Sequence, residues 1–394
     1  YAWADRPGGS PSVPSDRPPT VETEEDTQRT SEVVIDLRSQ GATTRVDPRR
    51  SHPSGPQPAE PAPTTPDAEP AYGARKLRLQ PDESLAIGLQ RMALEQFEIA
   101  IAGLQGIPDR ETGVHQARKA LKRIRAVLRL VRDVLGDEVY RAENVVARDV
   151  ARALSPVRES FVLARTLDSL LAVEPSAISP ATTTELRDHL LARHIRTAGA
   201  VLDDSDLMAQ LLTSVKCAAT RFAQWPVMNI EVGTDVIDIR PTIPTDFASL
   251  ESGLRRVYRR GRNRLDDAER VPTKVSVHEW RKRVKYLRYQ MEALTPVWPE
   301  VVGGLERSLN DLSEMLGTEH DLADLGVLIH LEPALVTRDL DRNRLLAAIA
   351  RRRAALQAAA FDVGDRVYTE PPRAFTARIA PYWESWERHQ RYAR

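Results

Sequence analysis

The sequence predicts an all-α protein, and three observations carry that expectation. Aromatic residues make up only 5% of the chain against 41% hydrophobic residues overall, so the core must be built mostly from Leu, Val and Ala, a mix that favours helix over sheet. From Lys76 onward, apolar residues recur with the period of a helix in runs separated by short punctuators. One of these runs is present twice, as "VHQARKALKRIR" from Val114 and "VHEWRKRVKYLR" from Val277.

Taken in chain order, residues 1–75 stand apart. They hold 13 of the 28 prolines, with 12 acidic and 8 basic residues, and only "SEVVIDLR" from Ser31 to Arg38 is apolar. Such a segment buries too little surface to offset the entropy of ordering, and the expectation is a disordered tail. Helices are then expected over 82–105, 112–135, 138–154, 157–172, 182–203 and 205–223. A second set follows over 246–269, 275–294, 299–316, 320–330, 338–361 and 373–391. The breaks fall at Gly106, Leu135, Val173, Trp225 and Thr295, where Gly, Pro and Asp cluster. The domain expected at 76–394 thus has a first helical half at 76–228, an extended connector at 229–245 and a second helical half at 246–394.

The halves look related. The two basic runs are offset by 163 residues, and "LSPVRE" from Leu154 and "LGTEHD" from Leu316 are offset by 162, a register that argues for internal duplication. At 100° per residue each basic run splits into two faces. In the first, Ala117, Leu121, Ile124, Leu128, Val131 and Leu135 form an apolar stripe. His115, Arg118, Lys119, Lys122 and Arg129 oppose it, with Arg125 at the margin. In the second, Trp280, Val284, Leu287, Met291 and Leu294 are opposed by His278, Arg281, Lys282 and Lys285, with Arg288 at the margin. A third run, "RRVYRRGRNR" from Arg255, aligns Arg255, Arg259 and Arg262 on one stripe.

Lys+Arg and Asp+Glu both total 56, so this positive charge is a matter of segregation, not of overall excess. Acids that would supply i,i+4 ion pairs are missing from the first basic face and nearly so from the second. Like charges stacked in this way repel, and a polyanion would relieve the repulsion. Forked Arg and point-charge Lys suit tetrahedral phosphates. Base-edge reading is less well served, because little Asn, Gln or Ser is interleaved, and the aromatic residues among these runs are Tyr258, Tyr286 and Tyr289.

Other chemistries find little support. There is no P-loop and no Gly-x-Ser-x-Gly elbow. His189 and His194 are five apart and no Cys is near, so no metal site is expected, nor any cofactor. The one cysteine, Cys217, excludes an intrachain disulfide, fits a reducing compartment, and is expected in the core. No apolar run is long enough to span a membrane, so no membrane partner is expected.

The two basic helices, together with "ALSPVRE" and "EMLGTEHDLADL", resemble the signature helices and following turns of the CHAD family, the conserved histidine α-helical domain, over about residues 76–394. The resemblance implies two pseudo-symmetric four-helix bundles and a basic channel that binds inorganic polyphosphate without catalysis. It places His115, Arg118, Lys119, Lys122 and Arg125 on one wall and His278, Arg281, Lys282, Lys285 and Arg288 on the other, with Arg255, Arg259 and Arg262 on the Arg-rich first helix of the second half. A cytoplasmic location, on polyphosphate granules, is the matching expectation. The first half departs from the family pattern: "QRMALEQF" from Gln90 offers little charge, and Ser155 and Glu159 stand for Gly and Asp. In the second half His320 stands where Arg or Asn is usual. A lopsided site, with the second half binding harder, is expected. Arg158, Arg196, Arg351 and Arg352 are further basic residues that periodicity does not orient. The alternatives are a nucleic-acid-binding helical protein and an enzyme that cleaves phosphoanhydrides.

Overall fold

Helix ends in this protein are set by local side chains. In a computed structural model, residues 77–81, 83–224, 229–232, 235–238 and 246–392 are described. The tail and parts of the connector lie outside them. Ser84 caps α1 (Leu85–Leu104), Asp109 caps α2 (Arg110–Leu130) and Asp204 caps α7 (Ser205–Ala223), each side chain accepting from a backbone N–H of the first turn. Ser179 does the same for α6 (Pro180–Leu202), which also starts on proline. Thr273 and Ser276 form a reciprocal capping box on α9 (Lys274–Leu294). Between these lie α3 (Arg132–Leu135), α4 (Asp137–Ala153), α5 (Ser155–Val173) and α8 (Ala248–Arg270). The chain ends with α10 (Val302–Leu331), α11 (Asp339–Val367) and α12 (Pro372–Tyr392). Gly136 ends α3 at φ 78°, a conformation that favours glycine. The fold class is all-α. Inside the connector, β1 (Asn229–Val232) and β2 (Asp235–Asp238) pair antiparallel, Asn229 opposite Asp238.

Three boundaries differ from the sequence expectation, the first being the end of α11, which runs on from the expected 361 to Val367. The helix expected over 112–135 breaks at Val131, whose φ and ψ of −109° and 17° leave the helical region. The two helices expected at 299–316 and 320–330 are one 30-residue helix, α10. "LGTEHD" is therefore not a turn. Gly317 sits inside α10, tolerated at a cost of about 1 kcal/mol, where it faces the guanidinium of Arg281.

The apolar stripes of α2 and α9 are buried as expected. They belong to a large core made with α1, α4, α7, α8, α12, the first part of α10 and the last part of α11. A second cluster joins α5 and α6 to the last part of α10 and to α11. Each cluster draws helices from both halves of the sequence. Trp383 is buried and Trp386 packs on the same core. Cys217, by contrast, is exposed: α7 buries Leu211, Val215, Ala218 and Phe222, and position 217 falls on the other face.

Arg123 and Glu292 form a buried ion pair at 2.9 Å between α2 and α9, both side chains 8% exposed, and Glu292 also accepts from the backbone N–H of Leu77 at 3.2 Å. One of the basic residues of the first run is thus committed to the core. The α8–α2 crossing is closer still, for a Cβ at Gly253 would collide with the carbonyl groups of Arg129 and Leu130. Backbone cannot give way as a side chain can. Gly253→Ala is expected to lower stability by about 1–3 kcal/mol, seen as a fall of a few degrees in the thermal melt followed by circular dichroism.

Candidate anion-binding site

Four helices build the site. α2 packs on α9 and on α5, while α10 packs on α9 and on α5, so the faces of all four meet. From α2 come His115, Arg118, Lys119 and Lys122; from α9, His278, Arg281 and Lys285. Arg158 and Glu159 enter from α5, and His320, Asp321 and Asp324 from α10. A cavity of about 780 Å³ opens against this cluster, with His115, Lys119, Arg158, Arg165, Asp321 and Arg352 in its lining.

The two halves contribute matching contacts at register-matched positions. Arg118 donates to the Ser155 hydroxyl at 2.5 Å and to the Ala151 carbonyl. Its counterpart Arg281 lies against Gly317, where a Cβ would be 3.7 Å from the guanidinium. The Ser155 departure therefore keeps the role of the position, which is to receive the arginine. His115 has Arg158 as its strongest charged influence, and His278 lies against His320 with ring centroids 4.5 Å apart and planes tilted by 37°. Position 158 and position 320 are equivalent in the two motifs.

The electrostatics show positive charge that the protein does not neutralise. Burial, then Arg118, Arg281 and Arg158, lowers Lys122 to about 7. Burial, then Arg281 and Lys122, holds Lys285 well below its ordinary value, although Asp321 opposes the shift. Arg118 falls to about 10, mainly through burial, and Arg158 and Arg281 shift the same way for the same reason. Burial also drives His115 to about 3, helped by Arg158 and Lys119, and His278 to about 2, helped by His320 and Arg281. His320 is lowered to about 3 by burial and Arg281. All three imidazoles are neutral at pH 7. Nε of Arg118, Nε of Arg281 and Nδ1 of His278 are buried and find no hydrogen-bond partner among the described residues. Orphaned polar atoms in one place are what an anion with several oxygens would satisfy.

Acids are nevertheless present: Glu111 of α2 lines the cavity and Glu279 of α9 pairs with Lys282, and further acids come from the facing helices. Burial raises Glu159 and Asp321 although Arg118 and Arg281 oppose it. Asp324 bonds Lys274 at 3.1 Å and lies 3.4 Å from His320. They temper the cluster without balancing it. Their sequence signal was the register match of Glu159 and Asp321, which periodicity could not point inward.

Of the residues expected at the site, His115, Arg118, Lys119, Lys122, His278, Arg281 and Lys285 come together. Arg125 and Arg288 sit at its margin, where they act on Lys122 and Lys285. Arg125 also bonds Asn144 at 3.0 Å, and Arg288 bonds Glu306 at 3.2 Å. Lys282 adds to the field at His278 but is ion-paired with Glu279. Arg129 is turned into the packing, bonded to Asn144 at 3.1 Å and stacked 4.0 Å over Tyr286. Arg255 pairs with Glu251 at 3.1 Å, and Arg262 donates to the Glu370 carbonyl at 3.3 Å, at the junction of α8 with α12; Arg259 is exposed on the same helix. Arg158 and Arg352, unoriented in the sequence, line the cavity, while Arg351 is paired with Glu174. No helix among the described residues is long and apolar enough to cross a membrane.

An all-helical protein whose central helices bring a group of cations and a smaller number of acids together beside a cavity is the class that fold and site define. Residues 91–330 match the family model of the CHAD domain, and the chain belongs to that family. Among solved structures it is similar to PptA from Streptomyces chartreusis, with TM-score 0.50 and 14% identity over 72% of this chain and 98% of that one. The crystal structure of the CHAD domain from the plant Ricinus communis is matched with TM-score 0.47 and 21% identity, over 73% of this chain and 95% of that one. A search of curated proteins by sequence finds no match.

Proposed function

We propose that the protein binds inorganic polyphosphate, or a linear polyanion of that kind, at this site, and that it holds the polymer without cleaving it. The observation that carries the reading is the group Arg118, Lys122, Arg158, Arg281 and Lys285, whose charged forms are all disfavoured in the empty protein. Burial is the largest cause for each and neighbouring cations add to it; a polyanion reverses that local field and offsets part of the cost, releasing its own counterions as it does so. Binding over cleavage is supported by the side chains present: among the described residues no group of three or more His, Cys, Asp or Glu is placed to hold a metal ion, which phosphoryl transfer normally uses. Polyphosphate is favoured over a nucleic-acid strand because the aromatic residues of the basic runs, Tyr258, Tyr286 and Tyr289, are all buried and offer successive bases no row of platforms.

Calorimetry with long-chain polyphosphate, single-stranded DNA and orthophosphate at physiological salt tests this. The long chain is expected to bind at least about a hundred-fold more tightly than orthophosphate, because one phosphate meets only part of the cluster. Its affinity should fall with salt at a log–log slope of about 0.7 per neutralised charge, by analogy with single strands. Equal affinity for the polymer and for orthophosphate, or a flat salt dependence, overturns the reading.

A further inference from the structure

The cavity has a wall that a phosphate chain does not use. Its volume of about 780 Å³ lies within the range of small-molecule sites, about 300–1,000 Å³. Phe161, Val162, Leu170 and Leu322 line it beside the cations. Apolar surface of this kind gives nothing to phosphate oxygens.

Phe161 is also held firmly from behind. Its ring meets the edge of His194 with centroids 5.4 Å apart and planes at 64°. His194 is buried and anchored at both nitrogens, Nδ1 lying 3.0 Å from the Ser160 hydroxyl and Nε2 donating to Glu111 at 2.8 Å. Three helices, α2, α5 and α6, thus fix one partly exposed aromatic ring at the cavity wall. The guanidinium carbons of Arg158 and Arg165 lie 5.5 and 5.8 Å from the ring centroid. Thr112, Gln116 and Thr318 add neutral hydrogen-bonding groups to the same lining.

An aromatic ring, neutral donors and acceptors, and cations all line this one cavity, a set of groups that suits a ligand with a flat base, a hydroxylated sugar and several phosphates. We propose that the cavity takes a nucleoside polyphosphate, with the base against Phe161 and the guanidinium groups of Arg158 and Arg165 that lie over its ring, and the phosphates directed to Lys119 and Arg352 in the same lining. The proposal rests on the anion reading of the same site. It differs from that reading in assigning the apolar wall a ligand of its own.

The test is isothermal calorimetry on the full chain, with chelator present, comparing ATP, tripolyphosphate and long-chain polyphosphate. Tripolyphosphate carries at least as much charge as ATP, so electrostatics alone favours it. ATP is expected to bind on the order of ten-fold more tightly, the advantage coming from base stacking. Phe161→Ala should bring ATP to the level of tripolyphosphate, and Phe161→Trp should keep the preference, with thermal melts confirming that each variant folds. If wild type binds ATP no better than tripolyphosphate while long chains still bind, the nucleotide proposal is overturned and the polyphosphate reading stands. A preference for ATP that survives Phe161→Ala equally overturns the assignment to this wall. Loss of binding to all three ligands overturns both readings.

Discussion

Lys122→Glu combined with Lys285→Glu is expected to abolish polyphosphate binding, a loss of at least about a hundred-fold near 0.15 M salt. The two amines come from different helices and each lies in the field of the other. Both are only partly exposed, so ions screen them less than they screen a free surface amine. Reversing them removes two attractions and installs two repulsions at the centre of the cluster. The empty protein should respond in the opposite sense. Lys122 and Lys285 face Arg281, and Lys122 also faces Arg118, so carboxylates at these positions would pair with arginines that now repel their neighbours. Its melting temperature is expected to stay level or rise. Lys282→Glu should cost less than Lys122→Glu, because Lys282 is already paired with Glu279. Titration by calorimetry, with thermal melts of the same variants, checks all three statements. A double reversal that binds as wild type removes the site from the proposed function. A variant that loses binding only because it unfolds shows itself in the melt.

Binding is expected to take up between about one and two protons at pH 8–9, and affinity to strengthen as pH falls from about 10 to about 7. Lys122 is lowered to about 7 in the empty protein, and Lys285 is lowered as well. A bound polyanion raises both toward the ordinary lysine value. A group with the higher pKa in the complex gains a proton on binding, so affinity is greatest below the free-protein pKa and is lost as pH rises through that of the complex. The window for Lys122 therefore opens at about 7. The histidines operate lower, since His115 and His278 start from about 3 and about 2. Folding stability of the empty protein follows the same linkage. The unfolded chain holds a proton on Lys122 that the native state has released, so stability should rise with pH from about 7 toward the ordinary lysine pKa. Calorimetry at pH 8.5 in two buffers of different ionisation enthalpy measures the uptake. Lys122→Arg should reduce it by about one proton, while His115→Gln with His278→Gln should leave it unchanged. Zero uptake by wild type, or uptake lost in the histidine pair, would refute the assignment to lysine.

The basic helices were legible for a simple reason. A stripe such as Ala117, Leu121, Ile124 and Leu128 must face the core, and that dictates where His115, Arg118, Lys119 and Lys122 point. The same logic misjudged Arg129, which lies in line with Lys122 but far enough along α2 to meet Asn144 and Tyr286. It also misjudged Cys217, where apolarity suggested burial and the helix face decided otherwise. "LGTEHD" carried a glycine that reads as a helix stop, yet α10 runs through it, with Arg281 in van der Waals contact at Gly317.

The sequence by itself determined the helical class, most of the helix boundaries, and the two basic faces with their register, because each depends on residues within a few turns of one another. The tertiary structure alone decided which faces meet. It brought Arg158, His320 and the acids Glu159, Asp321 and Asp324 into the cation cluster, committed Arg123 to Glu292, and set Phe161 against His194 at the cavity wall. Those partners are separated by tens to hundreds of residues, and a helix period carries no information about the helix across from it. What a stripe fixes is a direction; the neighbour in that direction is chosen by how whole helices pack.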